Sequence, residues 1–188
     1  INCYINGQKT LEVDFKRFSF HESKHINRYI DYSYFRTKKQ RIQKLFIEKN
    51  NPLSIFTYEM DKGKIQVSDK TNFVYLIQIK DYNGNMTSLN IPINGIFMEL
   101  AKKPNKTAYA TKIYARKAKI LREENVWVDI PANSFYDDVS LDFEVKKDTL
   151  RLHPSIIPLQ KSIEINFNIE QYTDLDAEQL FIGSVSDY

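Results

Sequence analysis

The chain is poor in the residues that punctuate or cross-link small folds. One cysteine, Cys3, stands in 188 residues, so no internal disulfide can form and burial alone must hold the fold. Glycine occurs five times, which excludes a glycine-rich phosphate loop or a dinucleotide fingerprint. No apolar run approaches the roughly 18 residues that a membrane-spanning helix requires. An excess of one charge is missing too. With 27 basic and 24 acidic side chains the net charge is +3, too even for the electrostatic footprint of a nucleic-acid binder. No nucleophile elbow is visible, and the Asp137-Asp138 pair has no spaced carboxylates around it, so it suits a turn cap better than a Ca²⁺ loop.

What is present favours strands. Twelve Tyr and twelve Phe accompany many Ile, residue types that suit a pleated, half-buried surface. Leu11, Val13 and Phe15 alternate with Glu12, Asp14 and Lys16, and Asn6-Gly7 before them supplies a tight hairpin turn, so residues 1–17 read as a hairpin. Strands are expected at Lys64–Val67, Phe73–Lys80 and Met86–Ile91, the last ending before Pro92, with a turn at Asp81–Asn85. Phe73–Lys80 is apolar on both faces, which places it inside its sheet. Phe18–Lys44 reads as a long aromatic-rich loop with a turn or two of helix near Ser23–Tyr29, and Gln40–Ile47 as a strand. In the second half, strands are expected at Thr107–Ala115, Lys117–Leu121, Val126–Ile130, Val139–Val145, Leu150–Leu152, Ser162–Ile169 and Leu180–Val185, with a short helix at Asp174–Gln179. Strands this short and frequent define an all-β chain. Trp127 and the aromatic stripe of Phe73–Ile79 are expected in its cores.

Chemistry is offered at one place. His21-Glu22-Ser23-Lys24-His25 is a literal H-E-x-x-H, which on a continuous helix sets two imidazoles one turn apart for Zn²⁺ with Glu22 as general base; Asp31 stands where a third ligand can lie. Three features oppose this: Lys24 puts a cation beside the metal, Arg28 replaces the glycine of the extended motif, and the flanks are short for a metalloprotease. His153, followed by Pro154, reads as a hydrogen-bonded structural residue. The basic run Arg36, Lys38, Lys39, Arg41 and Lys44 reads as a solvated face, with an anionic cell-wall polymer or lipid headgroup as the functional alternative.

Several segments carry a resemblance: Phe18-Ser19-Phe20-His21-Glu22-Ser23-Lys24-His25-Ile26-Asn27-Arg28-Tyr29-Ile30-Asp31-Tyr32, Asn51-Pro52-Leu53-Ser54-Ile55, and Val74 to Asn85. Further on, Val128-Asp129-Ile130-Pro131 and Phe135-Tyr136-Asp137-Asp138-Val139-Ser140-Leu141-Asp142-Phe143 do the same. Together they resemble the immunoglobulin-like β modules that follow the catalytic domain in lysostaphin/LytM-type zinc metallopeptidases of Gram-negative bacteria. In those modules the positions of His21 and His25 commonly hold other residues. The peptidase domain of that family binds zinc through His-x-x-x-Asp and His-x-His, and neither spacing occurs here, so no catalytic residue is carried over.

The resulting expectation is all-β: two consecutive immunoglobulin-like β-sandwich modules with one or two short helices. Residues 1–96 form the first, with room for an N-terminal strand before Ile1, and residues 97–188 the second, truncated at its C-terminus; the chain reads as an excerpt of a longer polypeptide. The switch between them is expected near Pro92–Asn105. The implied role is a non-catalytic accessory region of a periplasmic or outer-membrane-associated protein, docking onto a protein partner or peptidoglycan, with no nucleic acid, no transmembrane segment and no cofactor. The rival readings are a small zinc metalloprotease using His21, Glu22, His25 and Asp31, and a carbohydrate-binding module using a row of exposed Tyr rings.

Overall fold

A computed structural model of the chain describes residues 1–17, 19–98, 111–147, 149–152, 155–170, 178 and 180–184. The protein is built mostly of antiparallel β-sheet, with three short helices among the described residues. No described helix is long and apolar enough to cross a membrane.

The hairpin at the start forms as its sequence dictates. β1 (Asn2–Ile5) and β2 (Gln8–Val13) pair across Asn6 and Gly7, both at positive φ, the geometry of a two-residue hairpin turn. β3 (Phe56–Glu59), β4 (Asn72–Lys80) and β5 (Met86–Asn94) complete a five-stranded sheet in the order β3-β2-β1-β4-β5. β4 pairs on both sides, with β1 and with β5, and so lies inside the sheet. β5 runs through Pro92 and not merely up to it. The bonds from Asp81 N to Asn85 O and from Gly95 N to Thr71 O bracket the ladder and fix its parity. Odd-numbered residues of β5 therefore bond to β4, and even-numbered ones point their backbone groups at the free edge. Pro92 falls on that outward side, so its missing N–H costs the ladder nothing.

One face of this sheet is buried. Cys3, Leu11, Val13, Phe73 and Tyr75 pack against Tyr29, Ile30, Leu53 and Ile55, which come from the segment between β2 and β3. That segment holds α1 (Phe20–Ser23), α2 (Ile26–Tyr29) and α3 (Tyr32–Lys38). The second layer of the first half is therefore helix and loop. The strand expected at Gln40–Ile47 is reduced to a single bridge between Ile30 and Gln43. Lys64–Val67 is not a strand either: it follows a 3₁₀ turn (Asp61–Gly63), and β3 takes the place at the sheet edge instead.

The second half arranges short ladders about a separate core. β6 (Thr111–Ile113) pairs with β9 (Val139–Leu141), β8 (Val126–Ile130) lies between β7 (Lys119–Glu123) and β12 (Glu164–Phe167), and β10 (Phe143–Lys146) pairs with β11 (Thr149–Leu152). Ile113, Leu121, Val128, Ile130, Phe135 and Leu141 form the buried centre. The strand expected over Val139–Val145 is broken at Asp142 into β9 and β10, which serve different ladders. Trp127 lies half-buried on the face of β8 opposite Val126, Val128 and Ile130. Leu180–Ser184 carries no strand. His153, residues 107–110 and 99–105, Val185, and the helix expected at Asp174–Gln179 apart from Glu178 lie outside the described residues.

Candidate functional site

The H-E-x-x-H segment folds into two short helices with a break between its two histidines. Ser19 is the N-cap of α1, and the Glu22 carboxylate reaches back to accept from Ser19 N at 2.8 Å, the reciprocal arrangement of a capping box. The other Glu22 oxygen accepts from Ser54 N at 2.7 Å. The Ser19 amide first, and then the Ser54 hydroxyl and amide, lower its pKa to about 2. A general base works best with a pKa near the operating pH, and this carboxylate is instead tied down as a structural acceptor. Beyond it, His25 N bonds to Glu22 O at 2.8 Å, an i→i−3 contact that replaces the α-helical one, and α2 starts afresh with His25 as its N-cap.

The imidazoles consequently have different surroundings. His21 is exposed and meets the Phe20 ring edge-on. His25 is only 9% exposed, and its Nδ1 lies within hydrogen-bond distance of the Tyr136 hydroxyl, 111 positions away. Burial first, and then the Lys24 charge, lower the pKa of His25, whereas burial raises that of Tyr136 to about 12. The phenol therefore keeps its proton, and the neutral ring and the hydroxyl share one hydrogen bond through Nδ1. Asp31 caps α3 by accepting from Tyr34 N at 3.0 Å. Thus His21, His25 and Asp31 are not brought together, and among the described residues no group of three or more His, Cys, Asp and Glu side chains is placed to hold a metal. These residues do not fit a zinc centre.

What the segment does assemble is a polar seam between the two halves. Arg28, on α2, lies over the Tyr136 ring with its guanidinium carbon 5.3 Å from the centroid. It pairs with Asp137, contacts Glu48 Oε2 at 2.8 Å and donates to Lys49 O at 2.9 Å. The Glu48 contact is an ion pair without hydrogen-bond alignment, and Glu48 also takes Lys44 at 3.0 Å. Asn50 donates to Tyr136 O at 2.7 Å, and Arg36 to Ser155 Oγ at 2.7 Å. The Asn133–Asp138 stretch, polar on paper, thus sends Phe135 into the second core and Tyr136 and Asp137 into the seam. The adjacent Asp138 caps the backbone, accepting from Ala115 N at 2.9 Å.

Two cavities flank the seam. One of about 330 Å³ is mainly apolar, between Asn27 and Tyr32 on one side and Phe135, Leu152 and Ile157 on the other. The second, of about 700 Å³, opens between Lys49 and Asn50 and the turns around Arg116 and Asp137. Among the described residues the exposed tyrosines Tyr58, Tyr82 and Tyr114 lie on β3, in the β4–β5 turn and after β6, and do not form a row on one sheet.

The other exposed feature is the β5 edge. Its nine residues include no charged side chain, and among the described strands it pairs only with β4. Leu89, Met86 and Ile79 beside it are exposed, as are Ile96, Phe97 and Met98 beyond it.

A family model described as the Zu5-like domain matches residues 110–188, less than half of the chain. No curated protein and no solved structure matches it.

Proposed function

We propose that this chain is a non-catalytic docking region of a cell-envelope protein, its two halves acting as one platform for a protein partner or for peptidoglycan. The observation that carries the docking role is the β5 edge. Natural sheet edges are ordinarily blunted by charge, proline, bulges or a short strand, because a free edge can pair with another chain; of these β5 has one outward proline, Pro92. β5 has nine residues and no charge, and its outward backbone groups at Met86, Ser88, Asn90 and Asn94 have no described strand partner. Strand addition gives such an edge main-chain hydrogen bonds, with alternate side chains supplying specificity.

The parentage is part of the same reading. The segments quoted above support a place beside a LytM-type peptidase domain in the periplasm or at the outer membrane. An immunoglobulin-like sandwich is proposed for the second half alone, where the short antiparallel ladders around a single core at residues 111–170 are compatible with it; in the first half the layer over the sheet is the helical segment.

A photo-reactive amino acid in place of Ser88, with the same group at Asp69 as a control, tests the docking role in cells of the source. Discrete adducts from Ser88 alone are expected; equal labelling at both positions, or none at Ser88, overturns it. Metal analysis of the purified chain should find far less than one zinc per chain, and a stoichiometric metal would revive the protease reading.

A further inference from the structure

The larger cleft at the seam has an imbalance of uncommitted charge. Three cations line it, Lys49, Arg116 and Lys117, and among the described residues none of them has a carboxylate partner. The two carboxylates in the same lining are engaged: Asp137 is neutralised by Arg28, and Asp138 accepts from a backbone amide. Lys117 lies over the Tyr114 ring at 5.6 Å, and Lys112 over the same ring at 4.7 Å. Lys119 in turn donates to Lys112 O at 3.3 Å. The cations therefore run out of the cleft along β6 and β7, forming a track and not a single point.

The walls say more about the occupant. The Asn133 and Gln160 side-chain amides make no hydrogen bond to the described residues, and each offers a donor and an acceptor to whatever enters. Amide partners suit a peptide backbone, and a volume of about 700 Å³ lies within the range of specific ligand clefts, which favour the boundaries between units. We propose that this cleft binds a short acidic polypeptide segment, its carboxylates meeting Lys49, Arg116 and Lys117 and its backbone the two amides. The cleft shares no residue with the β5 edge, so this is a second site that goes beyond the docking reading.

The test uses the whole purified chain and a fluorescein-labelled hexaglutamate peptide, read by anisotropy over a salt series. Binding that weakens with salt is expected, falling roughly tenfold or more in the Lys49→Glu/Arg116→Glu variant. A Lys70→Glu/Lys80→Glu variant of the same net charge should bind as the parent does. All four positions are exposed, and matching unfolding temperatures will confirm that each variant is folded. No binding, or an equal loss in both variants, overturns the proposal. Displacement of the peptide by equimolar inorganic pyrophosphate also overturns it, by making phosphate the preferred anion. A negative result with the defined peptide leaves the Ser88 adducts in place, and loss of those adducts leaves the anisotropy unchanged, so the two ideas fail separately.

Discussion

His25 illustrates how one ring changes meaning with its surroundings. In the sequence it completes a metal motif; in the fold it shares a hydrogen bond with the Tyr136 hydroxyl across the seam. Its pKa is lowered in the fold, so the neutral form contributes fully above about pH 6.5, the ordinary value for histidine. That contribution is lost as the pH falls through the lower folded value, because the buried ring must then carry a charge beside Lys24. Glu22 favours the charged ring and Lys24 opposes it, and the Arg28 guanidinium over Tyr136 adds a further positive charge nearby. Thermal unfolding followed from pH 7.5 to 4.5 should therefore show a loss that His25→Gln largely abolishes, whereas Tyr136→Phe should cost about 1 kcal/mol at neutral pH and leave most of the pH dependence in place. An identical pH profile for the parent and His25→Gln would show that the ring does not carry the loss.

At the scale of elements, Gly95 shows what a single missing side chain allows. A Cβ built there would overlap the Ser68 carbonyl oxygen, while Gly95 N donates to Thr71 O at 2.7 Å, so the end of β5 is clamped to the turn before β4. Gly95→Ala should cost about 1–3 kcal/mol, since backbone must move to admit the methyl, and denaturant titration will measure it. An unchanged midpoint would mean that the turn yields freely. The same scale shows where the sequence could be read and where it could not. Asn6-Gly7 announces its hairpin because the turn residues themselves carry the required φ, and β4 declares its central place by being apolar on both faces. Lys64–Val67 and Gln40–Ile47 alternate as well, but a strand also needs a neighbour with unpaired backbone groups. β2 offers its free edge to Phe56–Glu59 instead. The break at Asp142 is invisible for the same reason: its two halves find different partners.

For the whole molecule the decisive residue is Arg28, and nothing local in the sequence marks it. Its pairing with Asp137 spans 109 positions, a relation that periodicity and motif spacing cannot report. The candidate site was legible only as a collection of polar residues, because the seam exists only when both halves are folded. Arg28→Ala removes the ion pairs, the Lys49 bond and the stacking on Tyr136 together. With its partners partly solvated, the expected loss is about 1–3 kcal/mol. Calorimetry should then resolve two transitions where one is expected for the parent, and Arg28→Lys should restore little, since an ammonium cannot stack and fork at once. A single transition in Arg28→Ala would show that the apolar contacts beside the seam suffice.

The position of Pro92 has a consequence for recognition. An incoming segment laid along β5 finds donors at Met86, Ser88 and Asn90, then a gap, then a donor at Asn94. A uniform rail would let the visitor slide by two residues without penalty; this one is notched, so each displacement changes which carbonyl goes unmatched. Alignment is thereby encoded in the main chain itself, leaving the side chains of the guest free to vary.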